Sequence, residues 1–210
     1  GLIATGIAMV AIAFLHSSAM EDQRSNARNL AHSIVGTVEA QLTSVDYVLQ
    51  VAADEIKQEQ EAGHASFENI TAFLVTQQQR FPNIDWLQAT NADGEAIYGR
   101  GVDPERPGQF AEDAFYQQLR RVAQNHTKIA QPIVGQIRKQ WVWLMARPIG
   151  GPANAKHPGL VVASMSIDNL VGELERYRLA SGSEISLRDS NLRLVARTVF
   201  DRTATQSIGD

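Results

Sequence analysis

The stretch QIRKQWVWLMARPI, residues 136 to 149, gathers the side chains of this chain best suited to hold a small molecule. Read as a strand, its period of two sends Trp141, Trp143, Met145 and Arg147 to one face and Val142, Leu144 and Ala146 to the other. Two indoles beside a guanidinium combine apolar walls with one cationic anchor, which is what a pocket for a small organic anion needs. The bland alternative is that both tryptophans close a hydrophobic core while Arg147 extends to solvent. The face with Val142, Leu144 and Ala146 suits packing against a helix. Arg138 and Lys139 add cations that are equally at home in water.

Other chemistry finds no support. His16, His32, His64, His126 and His157 show no HxxxH or HxH spacing, so no metal site is expected. No GxSxG elbow, no glycine-rich phosphate loop and no cysteine occurs. Glu112 and Asp113 are neighbours on a helical stretch, where adjacent positions diverge, and make a poor acid–base pair. The expectation is a non-enzymatic segment without a cofactor. A formal net charge of −4 and the lack of any basic run exclude a nucleic-acid surface. The 44% hydrophobic content across 210 residues supplies one good core or two small ones.

The elements that must position these residues follow from periodicity. Leu2 to Leu15 carries no charge over about three quarters of the length a spanning helix needs. Residues 1–19 are therefore expected to be the C-terminal part of a transmembrane helix, with the rest outside the cytoplasm at an inner membrane. A signal-peptide core ending near Ser17–Ala19 and a buried soluble helix are the alternatives. From residue 20 to 60, apolar positions Leu30, Ile34, Val38, Leu42, Val45, Leu49, Ala52 and Ile56 recur at steps of three and four. They describe one long amphipathic helix whose narrow stripe suits packing on its own domain and pairing with a second copy as a homodimer; the alternative is a single-sided surface helix.

A helix over about 66–79 with Ser66 as N-cap comes next, then a hairpin turning at Asn91–Gly94, a loop at 103–110 and a short helix from Ala111. Three strands are expected near 128–134, 139–148 and 160–167, followed by a helix from Asp168, read as its cap, to about Arg178. A second hairpin turns at Ser190–Asn191. The chain thus reads as one unit over 61–167, with 168–210 a linking helix and the start of a second, similar subdomain.

In that order, NIDWLQATNADGEAIYG, FAEDAFYQQL, KIAQPIVGQIRKQWVWLMARPI, GLVVASMSIDNL and GSEISLRDSNLRLVAR resemble the double Cache sensor family, whose fold is PAS-like. The resemblance covers nearly all of residues 20–210 and lies in the order and spacing of these motifs. It implies an α+β fold in which a long N-terminal helix packs on an antiparallel Cache sheet, followed by the start of a second Cache-like subdomain. It also implies an extracytoplasmic ligand-sensing module of a membrane-anchored signal transducer. The variety it is most similar to precedes diguanylate cyclases with a GGDEF output domain, and related histidine kinases. The alternative is a ligand-free dimerisation ectodomain of a histidine kinase or chemoreceptor.

The resemblance directs the ligand to the Trp141, Trp143 and Arg147 face, the helix bearing Phe115 and Tyr116, and the last strand. Amino-acid-binding members carry an RxWY-like run and an Asp on the last strand. Here Asp113 stands at the Arg position in DAFY and Ser164 at the Asp position. With both charge anchors replaced, an amino-acid ligand is expected to be disfavoured.

Overall fold

The computed structural model describes residues 2–110, 116–117, 126–130, 132–134, 140–150, 159–177, 179, 183–188 and 194–200, with side chains from residue 25 onward except at 194, 195, 199 and 200. The chain divides into two compact units, Gly1–Ala40 and Gln41–Asp210.

Helix α1 spans Leu2–Glu61. No helix among the described residues is long and apolar enough to cross a membrane. Within the second unit, α1 buries Val45, Val48, Leu49, Ala52, Ala53 and Ile56, a stripe advancing by threes and fours as a core-facing helix requires. The helix stops where Gly63 adopts φ +71°. There His64 N–H donates to Glu59 O at 2.9 Å and Gly63 N–H to Gln60 O at 3.2 Å, the paired bonds of a Schellman cap. Helix α2 spans Phe67–Arg80 and begins as expected, with Ser66 Oγ accepting from Asn69 N–H.

Among the described residues eight strands follow: β1 (Trp86–Thr90), β2 (Ala96–Gly99), β3 (Lys128–Ile129), β4 (Ile133–Val134), β5 (Trp141–Pro148), β6 (Leu160–Ser166), β7 (Ser183–Arg188) and β8 (Leu194–Phe200). Helix α3, Ile167–Glu175, lies between β6 and β7. The main sheet has the order β2-β1-β6-β5-β3, with β4 also on the outer edge of β5. All its pairings are antiparallel. A long N-terminal helix on an antiparallel sheet is the α+β architecture expected. The strand foreseen over 128–134 is two short ladders instead, one pairing with Met145 and Ala146 and the other with Trp141 and Val142.

The first hairpin forms where NADG placed it. Asn91 Oδ1 accepts from the N–H groups of Asp93 and Glu95 at 3.0 and 2.9 Å, and Gly94 takes φ +86°. The second hairpin, β7–β8, is also present; its turn at Ser190–Asn191 lies outside the described residues.

Strand β6 is buried along its whole length, and each face of the sheet carries its own core. On one face α1 and α2 meet Leu87 and Ala89 of β1, Met145 of β5, and Val161 and Ala163 of β6. On the other, Leu144, Ala146, Leu160 and Val162 gather around Tyr116. This reverses one expectation. Val142, Leu144 and Ala146 do not face the long helix; the Trp143–Met145–Arg147 face does. Alternation creates two faces but carries no label for which one meets α1.

Two substitutions test this packing. Leu49 is fully buried against its own sheet, so Leu49→Ala is expected to cost about 2–5 kcal/mol in chemical denaturation. Gly159 has φ +140°, and a Cβ there would lie 1.7 Å from Thr90 O. Gly159→Ala should cost at least about 1–3 kcal/mol from backbone strain and lower the melting temperature accordingly.

Candidate functional site

A cluster of aromatic and polar groups lies on the sheet face opposite α1. Tyr116, helical together with Gln117, is 1% exposed. Its hydroxyl donates to Asn91 O at 3.3 Å and lies 3.3 Å from Thr90 Oγ1. Thr90 Oγ1 in turn accepts from Leu160 N–H at 3.1 Å. This relay ties the end of β1 to the start of β6 and fixes the Tyr116 ring over Leu144, Ala146, Leu160 and Val162. Phe110 stacks on Trp86 with centroids 6.2 Å apart and planes 14° apart, and both rings border the same cluster.

Ser164 sits among these groups. Its partners across the sheet are Trp86 on β1 and Leu144 on β5, and directly opposed residues share a face. Ser164 has no exposure, and its Oγ has no hydrogen-bond partner among the described residues. A buried hydroxyl left unpaired costs about 1–3 kcal/mol, so a fold retains one where something else supplies the partner. Two residues on, Ser166 shows the opposite case. Its Oγ accepts from the N–H groups of Asp168 and Asn169 at 3.1 and 3.4 Å and caps α3. Asp168, expected to be the cap, is instead a first-turn acid whose N–H is the donor.

The residues expected to form one site are divided by the sheet. Tyr116 and Ser164 belong to the face just described. Trp143, Met145 and Arg147 belong to the face toward α1. Trp143 Nε1 donates to Ala130 O at 2.9 Å, which satisfies its only polar atom. Arg147 Nη1 meets Asp46 Oδ1 of α1 at 3.3 Å. Trp141 is half-buried at the end of β5 beside Val134. Asp113 and Phe115 lie outside the described residues, as do Arg138 and Lys139. Sequence reasoning missed Trp86, Phe110 and Thr90. The alternation of DWLQAT puts Trp86 and Thr90 together, but only the fold brings Phe110 and Tyr116 to them.

Shifted acidities lie elsewhere. Burial pushes the Tyr98 phenol above its ordinary value; Tyr98 packs on the α1 side of the sheet. A hydrogen bond from the Ser186 hydroxyl and another from Arg197 hold the exposed Glu184 carboxyl below the usual range in the second hairpin. Among the described residues no cluster of three or more His, Cys, Asp or Glu side chains could hold a metal ion.

No protein-family model matches the sequence, and no curated protein sequence matches it. Solved structures do share its fold. The extracellular domain of the histidine kinase rpHK1S-Z16 superposes with a TM-score of 0.65 at 22% identity, covering 81% of this chain and 68% of that one. The ligand-binding domain of the Campylobacter jejuni chemoreceptor Tlp3 in complex with L-valine superposes at 0.66 and 15% identity, covering 86% of this chain and 73% of that one. The ligand-binding domain of the Pseudomonas fluorescens chemoreceptor CtaA in complex with L-alanine superposes at 0.57 and 13% identity, covering 81% and 70%. The fold is shared with these extracellular and ligand-binding domains. Further Tlp3 complexes contain isoleucine, 4-methylisoleucine and L-norvaline. Disfavouring amino acids because Asp113 and Ser164 replace charged anchors is therefore corrected. The fold accommodates them, and two substituted positions within one motif are too little to exclude a ligand class.

The two serines give opposite expectations in the ligand-free protein. Ser166→Ala should destabilise by about 1 kcal/mol, as loss of an N-cap does. Ser164→Ala should leave stability unchanged or raise it by up to about 1 kcal/mol, because its hydroxyl is buried without a partner. Urea denaturation of both variants checks the pair; equal losses would make Ser164 a structural group.

Proposed function

We propose that this chain is the ligand-sensing domain of a membrane-anchored signal transducer, with its binding site on the sheet face bearing Tyr116, Ser164, Trp86 and Phe110. The observation that carries the reading is the fully buried, unpartnered Ser164 hydroxyl set between Trp86 and Leu144. Aromatic and aliphatic walls around one polar group suit a small ligand with an apolar body. The fold shared with domains that hold L-valine, isoleucine and L-alanine makes aliphatic amino acids the first ligands to try. Trp141, Trp143 and Arg147 fall outside this site in the proposal, while Asp113 and Phe115 remain part of it through their sequence proximity to Tyr116.

The domain acts outside the cytoplasm at the inner membrane, and the uncharged stretch Leu2–Leu15, about three quarters of the length of a span, contributes to its anchor. Signalling needs two conformations that differ in ligand affinity. Since α1 packs on the back of the sheet that carries the site, a change in sheet curvature on binding displaces α1. The output is a dimeric cytoplasmic domain, a diguanylate cyclase by the resemblance in sequence. A histidine kinase or chemoreceptor output would use the same displacement. A ligand-free dimerisation role draws on Tyr47, which is 62% exposed on α1 and could pair with a second copy.

A thermal-shift titration with L-valine, L-isoleucine and L-alanine tests the reading. A saturable rise in melting temperature, about 2.7 kcal/mol of stabilisation at a hundredfold excess over Kd, is expected for at least one and should be lost in Trp86→Ala. A folded protein indifferent to all three, yet dimeric through a face that Tyr47→Lys disrupts, would favour the dimerisation role and overturn the sensor site.

A further inference from the structure

On the α1 side of the sheet lies a cleft of about 290 Å³ lined by α1, the segment around His126, and β5. At its polar end stands the guanidinium of Arg147, whose side chain is only 12% exposed. Nη1 makes both of its contacts, with Asp46 Oδ1 at 3.3 Å and Thr127 Oγ1 at 3.5 Å. Neither Nε nor Nη2 has a partner among the described residues, and neither is a sealed-off polar atom. A guanidinium this buried is ordinarily engaged by a carboxylate through two parallel bonds. Asp46 gives one long bond and is 45% exposed, so its carboxylate can turn to water at little cost. The apolar part of the lining is Leu42, Ile129 and Met145, with Thr43 and His126 as further polar residues.

We propose that this cleft is a second binding site, separate from the sensor face, that takes the carboxylate of a short-chain monocarboxylic acid. Its carboxylate occupies the free edge of the Arg147 fork, and its two- to four-carbon chain lies on Leu42, Ile129 and Met145. The ligand competes with Asp46 for the same cation. Occupation therefore releases the one ion pair, among the described residues, that joins α1 to the sheet. The nearby Asp46 carboxylate repels a second negative charge, so dicarboxylates are rejected. The sheet lies between this cleft and the Tyr116 face, and the proposal does not depend on the sensor site being occupied.

Methyl-resolved NMR of the whole chain, titrated with propionate and separately with succinate, tests it. Propionate is expected to saturate shifts at Met145, Ile129 and Leu42 while the Leu144 and Val162 methyls stay still; succinate should act only at much higher concentration. Arg147→Gln should weaken propionate about tenfold or more, whereas Asp46→Asn should tighten it several-fold by removing the competitor. The sign of the second variant separates competition from direct support by Asp46. The proposal is overturned if propionate gives no saturable shift. It is equally overturned if the shifts fall at Leu144 and Val162, which would make propionate a ligand of the sensor face, or if Asp46→Asn weakens binding.

Discussion

The seven-pair antiparallel ladder between β5 and β6 is the constraint on which the rest of the structure depends. It holds β6 in the centre of the sheet, where every residue from Leu160 to Ser166 is buried. A strand buried on both faces cannot slip by one residue without exchanging its two sets of side chains. The ladder thereby fixes which groups meet α1 and which meet Tyr116. Val161 and Ala163 join the helical core, while Leu160, Val162 and Ser164 turn the other way. Gly159 and Thr90 hold the entry to this strand, through a close backbone approach and the Thr90 hydroxyl bond to Leu160 N–H.

The two faces are built for different work. On the α1 face two helices bury leucines and isoleucines against the sheet, beside the cleft that holds Arg147. On the other face aromatic rings border the cluster around Tyr116, and Ser164 Oγ is buried without a partner among the described residues, as Gln78 Oε1 is on α2. Proteins retain such a stability cost at sites where binding or catalysis repays it. In the proposed sensor, a helix on one side of the sheet and the site on the other are coupled compactly. Movement at the site reaches α1 through a single layer, and no long pathway is needed.

Much of the fold was legible in the sequence. The α1 stripe, the Ser66 cap and the Asn91–Gly94 turn are local signals, and each has a local cause. The Val45–Ile56 stripe works as helical periodicity; the turn works because Asn91 can accept from its own backbone two and four residues on. The site was legible only in part. Tyr116 and Ser164 entered through the family resemblance and do share a face. Trp143 and Arg147 entered through strand alternation, which is blind to the choice between faces. The α3 cap was misread because Ser166 and Asp168 are both good cap residues two positions apart, and only the backbone decides between them. Trp86 and Phe110, 24 positions apart, become a pair through the β1–β2 hairpin and the loop after it, which no local pattern encodes.

The placement of Arg147 decides the account most directly, because it divides the expected site residues between the two faces of the sheet. The chain contains no cysteine, so paired cysteines can be introduced without background. Asp46→Cys combined with Arg147→Cys, treated with a short bifunctional thiol reagent, reports whether β5 presents this residue to α1. The account predicts rapid intramolecular cross-linking, visible as a mass increment of one bridged reagent, in a folded monomeric chain. If both thiols of the folded protein instead react singly and never bridge, Arg147 does not face α1, and the division of the sheet into a helical face and a sensing face is wrong.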